Sequence, residues 1–438
     1  MLLVSLLLAA QILSPPALTK LRQDEDWSVW CADKPQGYPY KCLRPTADSL
    51  LSLGGEVRYR YEFTDDPVWG GDPQDDHGVF MQRYVGFADW HLGSRWRLFG
   101  QVTSAIADGR AAGPSIPDQN RLSVQQSFVQ YAAKDYRLTL GRQELNLGSG
   151  RLLDVREGPN VRRRFDAGVV NWQLGDWQWQ GLVARPWRFK TGNFDDRVDH
   201  SQGLWGFYGT TRGPLSGNLD LYYLGYRNEH ARYAQGQGVE LRHTLGTRVF
   251  GDAGPWSWNW EFIYQFGRFD GGDIRAWSLA SDTRYRFFSA PLAPELGLSA
   301  NVASGDKNPN DNKLGSFNAL FPRGNYFSEM ALLGPRNFYN LHPYLGLNLT
   351  PTLVLTTELD FFWRLEKGDG IYGPAGQLLR PAYSSGSRYV GTEFAANFTW
   401  TPLRGHLLTA IYGHSFPGPA LGDAQDEDFL ELTWQYRF

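Results

Sequence analysis

The sequence predicts an all-β chain: a transmembrane antiparallel β-barrel of about eighteen strands, with short periplasmic turns and long extracellular loops. Three observations carry this. From Leu51 onward, apolar and polar residues alternate in segments of roughly ten to thirteen, the length a tilted strand needs to cross a bilayer. The connections alternate between long and tight: "TDDPVWGGDPQDDHG" and "ADGRAAGPSIPDQN" against "LGSR", "AAKD", "LGDW" and "TPLRG". The last strand, "FLELTWQYRF", ends on an aromatic residue, Phe438. A soluble sandwich or propeller fits less well, because aromatics make up 15% of the chain and no blade repeat recurs.

The only long apolar run opens the chain, "MLLVSLLLAAQILSPPAL". It is short for a membrane helix, so residues 1–19 are read as a signal peptide, cut near Ala17 to Lys20. Residues 20–50 form an N-terminal periplasmic segment in which Cys31 and Cys42 are the only cysteines. In an oxidising compartment this pair predicts a small disulfide loop.

Strands are expected at 51–63, 79–92, 95–106, 121–133, 136–146, 165–174, 177–188, 202–212, 218–228, 237–249, 256–268, 274–288, 295–304, 337–349, 352–365, 387–400, 405–416 and 427–438. Parity assigns their faces. In "EVRYRYEF" Val57, Tyr59, Tyr61 and Phe63 share one face, and Glu56, Arg58, Arg60 and Glu62 the other. A charge facing hydrocarbon at mid-bilayer costs about 2–4 kcal/mol for Arg or Lys, so the charged face points inward. Inward candidates are Arg58, Arg60, Arg83, Asp89, Arg95, Arg97, Glu240, Arg242, Asp282, Arg284, Arg286, Glu358, Asp360, Arg364, Glu393, Glu431 and Arg437. Such an interior is expected to be wet, an aqueous channel unless loops fill it.

One connection carries most of the opposed charge: "GRQELNLGSGRLLDVREGPNVRRRFD", residues 141–166. Folded into the lumen, it would form a cationic rim of Arg142, Arg151, Arg156, Arg162, Arg163 and Arg164. Glu144, Asp154, Glu157 and Asp166 would hold those guanidinium groups in place. Arginine suits planar, bidentate carboxylate recognition. Parity from Leu138 and Leu140 points Arg142 and Glu144 outward, whereas a bulge at Gly141 would turn them in; both alternatives stay open.

The run "LTLGRQELNLGSGRLLDVREGPNVRRRFD", together with the strand count, resembles the bacterial alginate export porin family. That resemblance implies a bacterial outer-membrane barrel with an arginine-rich, anion-selective conduit for a polyuronate. It assigns Arg142, Arg162, Arg163, Arg164 and Asp166 to the conduit. The expected partners are an anionic polysaccharide or sugar acid, outer-membrane lipid and lipopolysaccharide, and a periplasmic secretion assembly. Export is the first reading, and a general or sugar-acid uptake porin is the alternative. No cofactor is expected.

Other constellations are weaker. The net charge of −3 argues against a nucleic-acid partner. An outer-membrane enzyme lacks support, because no G-x-S-x-G or H-E-x-x-H occurs. "GDGIYG" (368–373) opens no helix, so it is not read as a dinucleotide site. In "GDKNPNDNKLG" Asp306, Asn308 and Asn310 sit at calcium-like alternate positions, but the closing glutamate is missing.

Overall fold

The computed structural model describes residues 15–32, 38–325 and 327–438. Residues 1–14 of the expected signal peptide lie outside them.

Eighteen long antiparallel strands close into a barrel. They are β1 Ser49–Asp65, β2 Val79–Leu92, β3 Trp96–Asp108, β4 Asn120–Ala132, β5 Tyr136–Gln143, β6 Phe165–Leu174, β7 Trp177–Arg188, β8 Gln202–Arg212 and β9 Asn218–Tyr233. The remainder are β10 Gly236–Ala253, β11 Trp256–Phe269, β12 Gly272–Arg286, β13 Glu295–Ala303, β14 Phe338–Thr350, β15 Leu353–Trp363, β16 Tyr389–Trp400, β17 His406–Pro417 and β18 Glu427–Arg437. Each strand pairs with the next, and β18 closes on β1 with Arg58 opposite Gln435 and Glu62 opposite Glu431. Closure removes the free edge that lipid would not satisfy.

The alternation seen in the sequence governs the wall. Leu140, Val183, Trp260, Phe262, Leu279 and Leu432 are exposed on the outside. Glu56, Arg83, Arg242, Asp360 and Glu393 are buried inside. At the end of the short turns, aromatic pairs such as Trp96–Tyr131, Trp177–Trp179 and Trp256–Tyr285 form an interfacial girdle.

Two expectations are corrected. The outer connections are not all long. β9 and β10 turn through Ala234–Gln235, and β11 and β12 through Asp270–Gly271, because these strands run past their expected ends. Asp270 and Gly271 both take positive φ at the second turn.

The interior is also not simply wet. The loop between β5 and β6 and the loop between β13 and β14 fold inward and meet. Leu153 pairs with Phe321 in a parallel bridge. The Asp154 N–H donates to the Phe321 carbonyl at 2.9 Å, and the Phe321 N–H to the Leu152 carbonyl at 3.0 Å. Leu145, Leu147, Leu152, Phe165, Phe317 and Phe321 make an apolar core inside the barrel. Pairing the backbones across the two loops satisfies the Asp154 and Phe321 N–H groups inside the barrel.

Candidate functional site

The inward loop is held by the arginines of the wall. Arg58, on β1, donates Nη1 to the carbonyls of Glu157 (3.0 Å) and Gly158 (3.2 Å), and Nη2 to Pro159 O and Asn160 Oδ1, each at 3.1 Å. Arg83, on β2, is completely buried between Glu56 (2.7 Å) and Glu157 (2.6 Å). Arg437 reaches the same two carboxylates at 3.0 Å each. Burial by itself would raise the Glu157 carboxyl. The surrounding charges of Arg162, Arg83, Arg437 and Arg58 win, and hold it well below its ordinary value.

Within the loop, Arg162 pairs with Glu144 (2.9 Å) and Glu157 (3.2 Å). Arg164 pairs with Asp196 at 2.5 Å and donates to Ser123 and Gln125 at 3.0 Å each. Arg60 bonds Glu62 and Glu431, Arg97 bonds Asp89, and Arg151 lies 3.7 Å from Glu261. Arg364 is buried against the carbonyls of Ser385 and Ser387. In this closed arrangement most of the expected conduit cations therefore anchor protein rather than stand open to a ligand.

Arg142 and Asp166 leave the lumen altogether. Gly141 has φ +129°, yet the ladders from β4 to β5 and from β5 to β6 run through it without a register shift. Arg142 therefore keeps the outward phase of Leu140. It pairs with Asp166 at 3.3 Å and stacks 3.6 Å from the Trp187 ring on the outer wall. Glu144 lies beyond the end of β5, where the chain has already turned inward, and is buried. Arg95 sits exposed on the β2–β3 turn and Arg286 at the end of β12, so neither lines the lumen.

Above the clamp lies an open vestibule, a cavity of about 940 Å³. Arg156 and Arg163 reach it from the inward loop, Arg336 from the β13–β14 loop, and Tyr233 and Tyr372 from the facing side. Arg163 lies 5.2 Å from the Phe321 ring. Arg336 lies 4.5 Å from Tyr233 and 4.8 Å from Tyr372, a cation between two rings. The tyrosine hydroxyls are tied back: Tyr233 donates to Glu240 (2.9 Å) and Tyr372 to Asp369 (2.6 Å). Burial and the nearby Arg156 charge both push the Arg163 guanidinium down, with Asp154 opposing. An arginine stays protonated at neutral pH, so an anion placed here relieves that unfavourable field.

The adjoining wall is acidic. Glu358, Asp360, Glu393 and Glu431 point inward from β15, β16 and β18. His342 joins two of them, 3.1 Å from Glu358 and 3.4 Å from Asp360. This carboxylate face adjoins the arginine clamp, whose wall residues Arg437, Arg58 and Arg83 lie on β18, β1 and β2.

Asp306 and Asn308 form successive Asx turns, their side chains accepting the N–H groups of Asn308 (2.9 Å) and Asn310 (3.2 Å). No group of three or more potential metal-ligating His, Cys, Asp or Glu occurs among the described residues. Cys31 and Cys42 are joined, with their Cα atoms 5.3 Å apart. Sequence reasoning missed Arg336, Tyr233 and Tyr372. Arg336 and Tyr372 lie on separate loops and Tyr233 ends β9, and only closure of the barrel brings them together.

A closed, lipid-banded barrel with a charged interior and an open outer vestibule defines an outer-membrane channel of the porin class. The alginate export family matches residues 49–434, and the chain belongs to that family, placing it in the bacterial outer membrane. No curated protein matches the sequence. Solved structures with the same fold include Pseudomonas aeruginosa OccK1 (OpdK), at TM-score 0.60 and 13% identity, covering 89% of this chain and 98% of that one. OpdK of the same organism, solved with vanillate, gives 0.59 at 12% identity over 89% and 98%. OccD3 (OpdP), also from P. aeruginosa, gives 0.60 at 12% over 89% and 91%. At these identities the likeness concerns the fold alone.

Proposed function

We propose that this outer-membrane channel passes an anionic, alginate-like polyuronate, with anions favoured over cations and with export as the direction. The observation that carries the reading is the vestibule, where Arg156, Arg163 and Arg336 line one cavity together with Tyr233, Tyr372 and Phe321. A uronate offers a planar carboxylate for a guanidinium and a flat sugar face for an aromatic ring. Each contact is partial, so the ligand binds well enough to enter and weakly enough to leave. Nothing in the barrel supplies energy, so the flux is passive.

Planar-bilayer recordings test this. The wild type should prefer anions. Arg163→Glu and Arg336→Glu should each shift the reversal potential toward cations, and oligouronates should block where neutral dextrins do not. Cation preference in the wild type would end the proposal.

A second reading, uptake of small carboxylates, has one observation in its favour: loops fill much of the lumen, which suits a small acid better than a polymer. Block by monomeric uronate as strong as by the oligomer would favour it.

A further inference from the structure

The N-terminal segment does not hang below the barrel. Residues 18–27 enter it and meet the clamp from the periplasmic side. The Lys20 ammonium lies 2.5 Å from Asp154, and the Lys20 carbonyl accepts from Arg162 Nη2 at 2.8 Å. The Gln23 carbonyl accepts from Arg97 Nη2 at 2.6 Å, while its side-chain amide donates to Glu144 O (3.2 Å) and accepts from Gln126 (2.9 Å). Arg22 bonds Glu25 at 3.0 Å and donates to the Phe438 carbonyl at 3.1 Å. Trp27 is buried, and the chain beyond it is fastened by the Cys31–Cys42 bond and by Lys41, which donates to Phe438 O at 3.2 Å.

We propose that this segment is a removable plug, and that its carbonyls stand in for substrate carboxylates on Arg97 and Arg162. The inference rests on the channel reading. Three features support it. The donors it occupies are guanidinium groups of the inward face, the chemistry a uronate would use lower in the same conduit. A neutral carbonyl is a weaker partner for a guanidinium than a carboxylate is, so an arriving polyuronate can displace it. Residues 18–27 join no strand ladder and are held by side-chain contacts and single hydrogen bonds, so they can withdraw without opening the barrel. The disulfide, C-terminal to the plug, keeps it tethered near the mouth.

The test is single-channel conductance of the full chain against two variants, one lacking residues 20–27 and one carrying Lys20→Glu, which sets a carboxylate against Asp154. Heat-modifiable migration on gels shows whether each barrel is folded. The deletion should raise conductance severalfold, and Lys20→Glu should lengthen open times. Hydrogen exchange in residues 18–30 should rise when oligogalacturonate is added, while β2 and β3 stay protected. Equal, open conductance in all three proteins overturns the plug and leaves the channel reading standing. No conductance in any folded form removes both. If the deletion does not fold, Lys20→Glu decides alone, and behaviour identical to wild type refutes the inference.

Discussion

Arg83→Ala separates an arginine that clamps the loop from one that selects ions. Arg83 has no solvent exposure and sits between Glu56 (2.7 Å) and Glu157 (2.6 Å). Removing one partner of a buried pair costs about 3–5 kcal/mol. Arg437 already touches both carboxylates at 3.0 Å and would take over part of the neutralisation, which brings the cost below that range, to about 2–3 kcal/mol. That loss falls on the loop and not on the strand ladder, whose backbone bonds remain. An opening free energy lowered by 2–3 kcal/mol raises the open population by about 30- to 150-fold. Native-state hydrogen exchange of residues 157–164, read by mass spectrometry, would report that factor, with the strand amides as internal control. Arg437→Ala, at a site still partly solvated, should give a smaller effect. Unchanged loop exchange in Arg83→Ala, or an equal effect of Arg437→Ala, would refute the clamp.

The remaining predictions concern residues outside the clamp. Arg142→Glu should leave the reversal potential unchanged, because the side chain is outside, and lower stability by about 1 kcal/mol through repulsion with Asp166, measurable by urea unfolding. Tyr233→Ala or Tyr372→Ala should weaken oligouronate block by about fivefold, roughly 1 kcal/mol of ring–cation contact each, while the Phe variants retain it. Burial pushes the Lys41 ammonium down to about 8. Between pH 8 and the unfolded value of about 10.4 the unfolded chain binds more protons than the folded one, so stability rises with pH through that window. Unfolding at pH 9.5 should therefore need more urea than at pH 7, and Lys41→Met should abolish the difference.

The wall was legible because its physics is local. A residue in a membrane strand faces lipid or lumen, and the alternation of Glu56, Arg58, Arg60 and Glu62 with Val57, Tyr59 and Tyr61 states which. Even the phase of Arg142 could be read from Leu138 and Leu140; the family pattern drew it inward, and the unbroken ladder shows that parity was the better guide. The interior was less legible because its contacts are remote. That Leu153 would meet Phe321, or Arg336 slide between Tyr233 and Tyr372, depends on how loops fold after closure. Of the acids in residues 144–157, Glu144 and Glu157 do pair with arginines, whereas Asp154 pairs with Lys20. The partners of Glu157 include Arg83 and Arg437 on the wall, which periodicity along one segment cannot reveal.

The carbonyl of Phe438 gathers Arg22, Lys41 and the Gly55 N–H around the seam where the last strand meets the first. These contacts join residues 416 and 397 positions apart, so they form only after the last strand has met the first. The Cys31–Cys42 crosslink spans 11 positions and needs none of the rest. Biogenesis therefore has an order written into it: the crosslinked knot comes early, the ring closes late, and the knot docks on the freshly made joint as the closing step.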